Sequence, residues 1–69
     1  MEKLTKWREQ RGMSKGDLAT ALGCNRSQIG RWESGLSQPS FAIIDKIDRL
    51  TDGEVTINDW YKSWQNRSE

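Results

Sequence analysis

The side chains best suited to recognition chemistry lie close together in one short segment, at Arg26, Ser27, Gln28 and Arg31. An arginine can donate two parallel hydrogen bonds to O6 and N7 of guanine, and a glutamine can pair with adenine. In a helix that turns Ile29 toward a core, about 100° per residue places Ser27 and Arg31 almost opposite that side chain. Arg26 and Gln28 then flank this face near the N-terminus of the helix. The four residues are therefore candidates for reading base edges in the major groove of double-stranded DNA.

Two positions in this segment have a second interpretation. Gln28 follows Asn25 by three residues, so its amide can instead accept a hydrogen bond from the Asn25 N–H, as in a capping box. Capping and base contact are equally consistent with the sequence. Gly30 lies on the exposed flank too. It is either a poor helix former that costs about 1 kcal/mol, or a point where the helix can approach DNA closely.

The composition excludes most catalytic chemistry. The chain has no histidine and one cysteine, so a zinc or iron site and a histidine-dependent triad are not expected. Gly30 and Gly35 have the spacing of a phosphate loop, but the phosphate-binding lysine is missing after them. We therefore expect no enzyme activity, no metal, no cofactor and no small-molecule ligand. Cys24 is expected to be a small buried residue, with redox sensing as the alternative.

Charge is unevenly distributed along the chain. Residues 1–38 contain seven basic and four acidic residues, a net charge of +3, whereas residues 39–69 contain four basic and six acidic residues, a net charge of −2. Only the first half therefore attracts polyanions. Because the isoelectric point of about 7.9 is below the value of about 9 that strongly basic nucleic-acid binders exceed, DNA binding must come from a local patch.

Length and hydropathy place the chain among small globular proteins. Its 69 residues amount to one domain, since domains usually comprise about 100–200 residues. No stretch approaches the roughly 18 apolar residues of a membrane span, and the N-terminus lacks the apolar run of a secretory signal. We expect a cytoplasmic protein without a membrane partner, associated with the nucleoid of a bacterial or phage-infected cell.

The helices that position the candidate residues can be read from their ends. Four polar residues, each flanked by an apolar pair that can form a hydrophobic staple, are predicted N-caps: Ser14, Asn25, Ser40 and Thr56. With an amphipathic segment at residues 2–11, they predict five helices, the second and third at residues 15–22 and 26–34. No strand pattern of comparable length is present. The predicted fold is all-α, a compact five-helix domain over residues 1–69 in which residues 65–69 form a frayed tail.

Apolar spacing predicts which side chains enter the core. Trp7 and Trp32 are expected to pack there rather than to stack on bases. The inward stripe of the fourth helix is predicted to comprise Ile43, Ile47 and Leu50. The fifth helix has a wider apolar face, formed by Ile57, Trp60, Tyr61 and Trp64.

The second and third helices are joined by Gly23, Cys24 and Asn25, which fits a helix-turn-helix. Here the sequence resembles the lambda-repressor-like helix-turn-helix regulators, including the small Cro repressors of phages. The resemblance covers roughly residues 4–53 and rests on Leu4-x-x-Trp7-Arg8, Arg11-Gly12-Met13-Ser14, Asp17-Leu18-Ala19-x-x-Leu22-Gly23, Ile29-x-x-Trp32-Glu33-x-Gly35 and Pro39-Ser40. It implies a five-helix DNA-binding domain that docks its third helix in the major groove, usually as a dimer on a palindromic operator. Gly16 and Gly30 depart from the family, which more often has better helix formers there.

Phosphate contacts are expected from residues around the recognition helix, because hydroxyls, cations and free N–H groups at helix N-termini suit phosphate oxygens. The candidates are Arg8, Lys15, Ser34, Ser37, Gln38 and Ser40. For Arg8 the resemblance implies an alternative, because the family ties its first helix to its third with an arginine and a glutamate at the positions of Arg8 and Glu33.

Tyr61 and Trp64 extend an apolar face that a chain of this size cannot fully cover, so we expect them at a homodimer interface, weak in solution and assembled on DNA. The alternative is that they fold back over the chain's own first and fourth helices. The expected function is a Cro-like transcriptional repressor. A different class also fits: an antitoxin-like protein-interaction module whose C-terminal helix binds a partner protein.

Overall fold

The computed structural model describes the backbone of residues 1–67 and the side chains of residues 1–65. All regular secondary structure in this part of the chain is helical, which confirms the predicted all-α fold. The five helices are α1 (Glu2–Gln10), α2 (Lys15–Leu22), α3 (Arg26–Ser34), α4 (Phe41–Leu50) and α5 (Ile57–Arg67). Three residues of the predicted tail, 65–67, thus belong to α5, and the other two lie outside the described residues.

Local capping explains where the helices begin. Ser14 Oγ accepts from the Asp17 N–H at 3.0 Å, and Asp17 Oδ2 accepts from the Ser14 N–H at 3.0 Å, so α2 begins with a complete capping box. Thr56 and Asp59 form the same reciprocal arrangement before α5. At the start of α4, Ser40 Oγ accepts from the Ile43 N–H at 3.3 Å. Each cap contributes about 1 kcal/mol by satisfying N–H groups that the helix leaves unpaired.

The core joins side chains from all five helices. Trp7 of α1 and Trp32 of α3 are buried, as predicted, and Trp60 of α5 is buried with them. The remaining members are aliphatic: Leu4, Leu18, Ala19, Leu22, Ile29, Ile44, Ile47 and Val55. These residues fix the position of α3, because its two inward side chains, Ile29 and Trp32, have almost no solvent exposure.

The predicted inward stripe of α4 is confirmed at Ile47, holds in part at Ile43, which packs against the core, and is wrong at Leu50. Ile47 is buried, but Ile43 is half-buried and Leu50 is 38% exposed. The buried stripe comprises Ile44 and Ile47 and continues into Thr51, the C-cap residue directly after α4, so that the three recur at i, i+3 and i+7. Thr51 escaped the prediction because it is polar. Its hydroxyl can be buried because it donates to Asp48 O at 3.3 Å and accepts from the Val55 N–H at 3.0 Å.

The apolar face of α5 is only partly covered by the chain itself. Trp60 is buried, whereas Ile57, Tyr61 and Trp64 are each about half exposed, Tyr61 at 55% and Trp64 at 51%. Folding back over α1 and α4, the alternative that the sequence left open for Tyr61 and Trp64, therefore does not bury them.

Candidate nucleic-acid interface

The turn between α2 and α3 sets the orientation of the candidate interface. Gly23 adopts a left-handed conformation with φ of 72°, which an L side chain rarely occupies. The Cys24 N–H then donates to Ala19 O at 2.9 Å, and Asn25, with an extended backbone conformation, is the N-cap of α3. The Cys24 thiol is half-buried, and burial raises its pKa. The turn thereby holds α3 across α2 with one face inward and the other outward.

The outward face of α3 carries the four predicted base-reading residues. Arg26, Ser27, Gln28 and Arg31 are all exposed, whereas Ile29 between them is buried. All four side chains on α3 are therefore accessible to a ligand, and we call this set of residues the recognition face. Their contact with bases stays a prediction.

Gln28 makes the capping contact that the sequence offered as one of its two roles. Its Oε1 accepts from the Asn25 N–H at 3.0 Å. A bidentate contact with adenine uses the same oxygen together with the amide nitrogen. Gln28 would therefore have to share or release its cap to read adenine.

The two arginines of the recognition face, and Lys15 beside it, have no carboxylate partner in the described part of the chain. Ion pairs elsewhere join Lys3 with Asp59, Lys6 with Glu2, Arg8 with Glu33 and Arg49 with Asp45. The acid nearest in sequence to Lys15 is Asp17, which is engaged by Ser14, whose N–H and hydroxyl lower the pKa of that carboxyl. The acid nearest in sequence to Arg26 and Arg31 is Glu33, which is paired with Arg8. Positive charge is therefore left available on this surface.

Arg8, one of the predicted phosphate contacts, is engaged within the free chain, and its contact with phosphate stays a prediction. Its Nε donates to Glu33 Oε2 at 2.8 Å and its Nη2 to Glu33 Oε1 at 3.3 Å. Nη1 donates to Met13 O at 2.9 Å, and the residue is buried. The hydrogen bond with Glu33 raises the pKa of Arg8, outweighing the effect of burial. Arg8 thus ties α1 to α3, the alternative that the family resemblance implied.

The other predicted phosphate contacts lie at the end of the recognition helix or after it. Ser34 and Gln38 are exposed, and Ser37 is half-buried. Ser34 Oγ donates to Arg31 O at 3.2 Å, and the exposed Ser40 caps α4. These four residues line the segment that leads away from α3, and their contact with phosphate is not tested by the structure of the free chain.

Lys15 has a position that sequence reasoning missed. Its Nζ lies 3.9 Å from the point that a Cβ on Gly30 would occupy, so the lysine crosses from α2 onto α3. Both residues are unfavourable for their helices: a glycine inside a helix costs about 1 kcal/mol relative to alanine, and a cation in the first turn opposes the helix dipole by about 0.3–1 kcal/mol. No spacing rule connects positions 15 and 30, because the contact exists only once the two helices cross.

A second surface, an apolar groove between α4 and α5, was only partly anticipated. It has a volume of about 190 Å³ and is lined by Gln38, Phe41, Ile44, Ile57, Trp60, Tyr61 and Trp64. Phe41 is 76% exposed. Tyr61 and Trp64 were predicted to be exposed on this surface, but Phe41 was not. The position of Phe41 directly after the Ser40 cap is the signal that could have placed it on the outside.

Comparison with known proteins relates most of the chain to one family. A family model described as helix-turn-helix matches residues 4–58. A protein of Methanosphaerula palustris, named as an HTH-type transcriptional regulatory protein, is 44% identical over 48 residues, 70% of this chain and 16% of that protein. A similarly named protein of Pyrobaculum aerophilum is 36% identical over 55 residues, 80% of this chain and 22% of that protein. The chain thus spans less than a quarter of the length of these relatives.

No solved structure gave a significant match. Within the described part of the chain, none of the helices has the length and apolar character needed to span a bilayer.

Proposed function

Because the chain belongs to the helix-turn-helix family of DNA-binding transcriptional regulators, we propose that it is a sequence-specific, Cro-like repressor that inserts α3 into the major groove of a palindromic operator. The observation that carries this proposal is the recognition face, on which Arg26 and Arg31 are exposed and unpaired beside Ser27 and Gln28. Arginine is well suited to guanine, and Ser27 can contact several bases. Gln28 contributes either an adenine contact or the cap it makes in the free chain.

The phosphate backbone is contacted by residues at the edges of this surface. Ser34, the last residue of α3, and Ser37, Gln38 and Ser40 after it offer hydroxyl and amide donors. Such contacts set the register of the protein on the duplex without reading its sequence. Arg8 supports α3 through Glu33.

A homodimer completes the site, because one recognition helix reads only a half-site. Tyr61 and Trp64 form the dimer contact, supported by their exposure on the apolar groove and by the neighbouring exposed side chains of Phe41 and Ile57. An interface limited to these few side chains gives weak pairing in solution, so the two copies assemble cooperatively on DNA.

Selection of duplexes from a random library, followed by titration of the selected operator at several salt concentrations, tests the proposal. A dimer that touches about 6–10 phosphates should lose about 10³–10⁵ in affinity between about 50 and 200 mM salt. An absence of duplex binding at low salt, or binding that does not respond to salt, would contradict it.

The exposed groove also favours a second function, an antitoxin-like module whose C-terminal helix binds a partner protein. Three large aromatic side chains, Phe41, Tyr61 and Trp64, are exposed there in the acidic half of the chain. The two functions differ in how they respond to Trp64→Ala. A repressor dimer loses cooperativity on a two-half-site operator, whereas an interaction module keeps its DNA binding unchanged and loses its partner.

A further inference from the structure

Lys15 and Gly30 are each disfavoured by the helix that carries them, and the structure places them together. Gly30 is in the interior of α3, where only proline is less favourable than glycine. Lys15 is the first residue of α2, where the positive end of the helix dipole disfavours a cation. Residue choices that break a local rule without helping the fold are typical of functional positions.

The fold requires neither residue. Gly30 is helical and its φ is not positive, and the nearest atom to a Cβ placed there is Lys15 Nζ at 3.9 Å, an ordinary contact distance. Lys15 makes no ion pair with the described residues. Its burial is also unlike that of the other lysines, since it is half-buried whereas Lys3, Lys6, Lys46 and Lys62 are exposed. The side chain of Lys15 therefore lies against α3 instead of extending into solvent.

We infer that Lys15 is a base-reading residue, whose ammonium crosses α3 at the notch left by Gly30 and joins Arg26 and Arg31 in contacting base edges. This inference rests on the proposed function and replaces the phosphate contact that the sequence suggested for Lys15. Gly30 is then a positioning residue, because a longer side chain at that point would occupy the space that the ammonium takes.

The chemistry of the three cations defines the class of operator. They offer only hydrogen-bond donors, so they favour bases that present acceptors without a donor beside them in the major groove, O6 and N7 of guanine or O4 of thymine. Arg26 and Arg31 are five residues apart, about 7.5 Å along the helix axis, so they reach different base pairs. Lys15 Nζ lies over Gly30, next to Arg31 in the chain. We expect a half-site with two guanines at different base pairs and a third acceptor base, guanine or thymine, beside the guanine that Arg31 contacts.

The test uses the full chain with Lys15→Ala, Gly30→Met and the double variant. Each is titrated with the operator that the unmodified protein selects, with operators altered at the third acceptor base, and with random duplex. Lys15→Ala should weaken the selected operator about tenfold more than random duplex and should remove the preference at the third base. In the Gly30→Met protein, where the methionine fills the notch, adding Lys15→Ala should not change that preference further.

Gly30→Ala is the matched control, because its Cβ fits beside the Lys15 ammonium. It should raise the melting temperature by about 4–8 °C and keep the preference at the third base. Gly16→Ala, whose Cβ would lie 3.7 Å from Ser14 Oγ, controls for helix propensity on α2. Circular dichroism of every variant establishes that it is folded.

Two outcomes would overturn the inference about Lys15 and Gly30, and a third would overturn the proposed function on which it rests. If Lys15→Ala weakens selected and random duplexes by the same factor, Lys15 contacts phosphate, and the inference fails while the proposed function stands. If Gly30→Ala by itself lowers affinity for every sequence, Gly30 serves a close approach of α3 to DNA and not the passage of Lys15. If the unmodified chain binds no duplex, the proposed function fails first.

Discussion

The outward faces of α3 and α5 differ in chemistry, although each helix is anchored in the core by a tryptophan. Trp32 of α3 and Trp60 of α5 are both buried. Away from the core, α3 presents unpaired arginines, whereas α5 presents half-exposed aromatic side chains on the groove it shares with α4. Similar anchoring thus leaves one helix with a polar binding surface and the other with an apolar one.

The difference predicts opposite responses to solution conditions. Attraction between exposed charges is screened over about 8–10 Å at physiological salt, so a surface like that of α3 loses affinity as salt rises. Burial of apolar area is not screened in this way and is strengthened by excluded salts such as sulfate. Salt should therefore separate contacts made by α3 from contacts made by α5.

The largest effect is expected at the scaffold that both faces share. Arg8→Ala should lower the free energy of unfolding by about 3–5 kcal/mol, because it leaves the Glu33 carboxylate buried without its partner. Thermal or urea unfolding measures this loss. Arg49→Ala, which removes one partner of the exposed pair with Asp45, is the control and should cost no more than about 0.5 kcal/mol. If the Arg8→Ala protein were as stable as the unmodified protein but bound DNA more weakly, Arg8 would contact a DNA phosphate instead of stabilising the fold.

The next effect concerns the recognition face alone. Arg31→Ala should cost about 1–3 kcal/mol in binding to the best operator and should relax the preference at one base pair. Lys62→Ala on α5 removes the same charge from an exposed site and should leave operator selectivity unchanged. Fluorescence anisotropy with operator and random duplexes distinguishes the two. Equal losses on both duplexes for Arg31→Ala would mean that Arg31 does not read a base.

A smaller effect is expected on α5. Trp64→Ala should lower the free energy of unfolding of the monomer by about 1–2 kcal/mol, less than a fully buried tryptophan would cost, since half of the side chain is already exposed. It should nevertheless reduce cooperative binding to a two-half-site operator and leave single half-site affinity unchanged. Leu50→Ala, an exposed apolar substitution outside the groove, is the control. Marked unfolding of Trp64→Ala, with cooperativity retained per folded molecule, would place the dimer contact elsewhere.

The smallest effect is a loss of stability in acid. It arises from the carboxylates in the N-terminal caps of α2 and α5, which can be compared with each other. Hydrogen bonds from Ser14 lower the pKa of Asp17; burial raises the pKa of Asp59, but bonds from Thr56 and Lys3 outweigh it, so the Asp59 pKa is also lowered. A lowered folded-state pKa stabilises the protein above the unfolded value of about 3.9, and this contribution is lost as pH falls through the folded-state values. Urea midpoints should therefore decrease below about pH 4. Asp17→Asn and Asp59→Asn should each reduce this dependence, and an unchanged profile in both would rule out the caps as its source.

Much of the framework around the recognition face was determined by short-range sequence signals. The bounds of α2 and α3 agree with those predicted, because Ser14 with Asp17 and Asn25 with Gln28 interact within three residues of each other. The outward direction of Arg31 follows from its angle to the buried Ile29 on the same helix. Such relations depend on helix geometry alone, so they can be read before the tertiary structure is known.

Tertiary structure decided what depends on helices meeting. The sequence alone offered Arg8 two roles, and only the packing of α1 against α3 brings it within 2.8 Å of Glu33, 25 residues away. At the end of α4, Thr51 is buried in place of the predicted Leu50. The loop after the helix allows this, because its Val55 N–H donates a hydrogen bond to the threonine hydroxyl. The meeting of Lys15 with Gly30 likewise exists only where α2 and α3 cross. Local patterns encode the direction in which a side chain points along its own helix, but a partner many residues distant is selected by the packing of the whole chain.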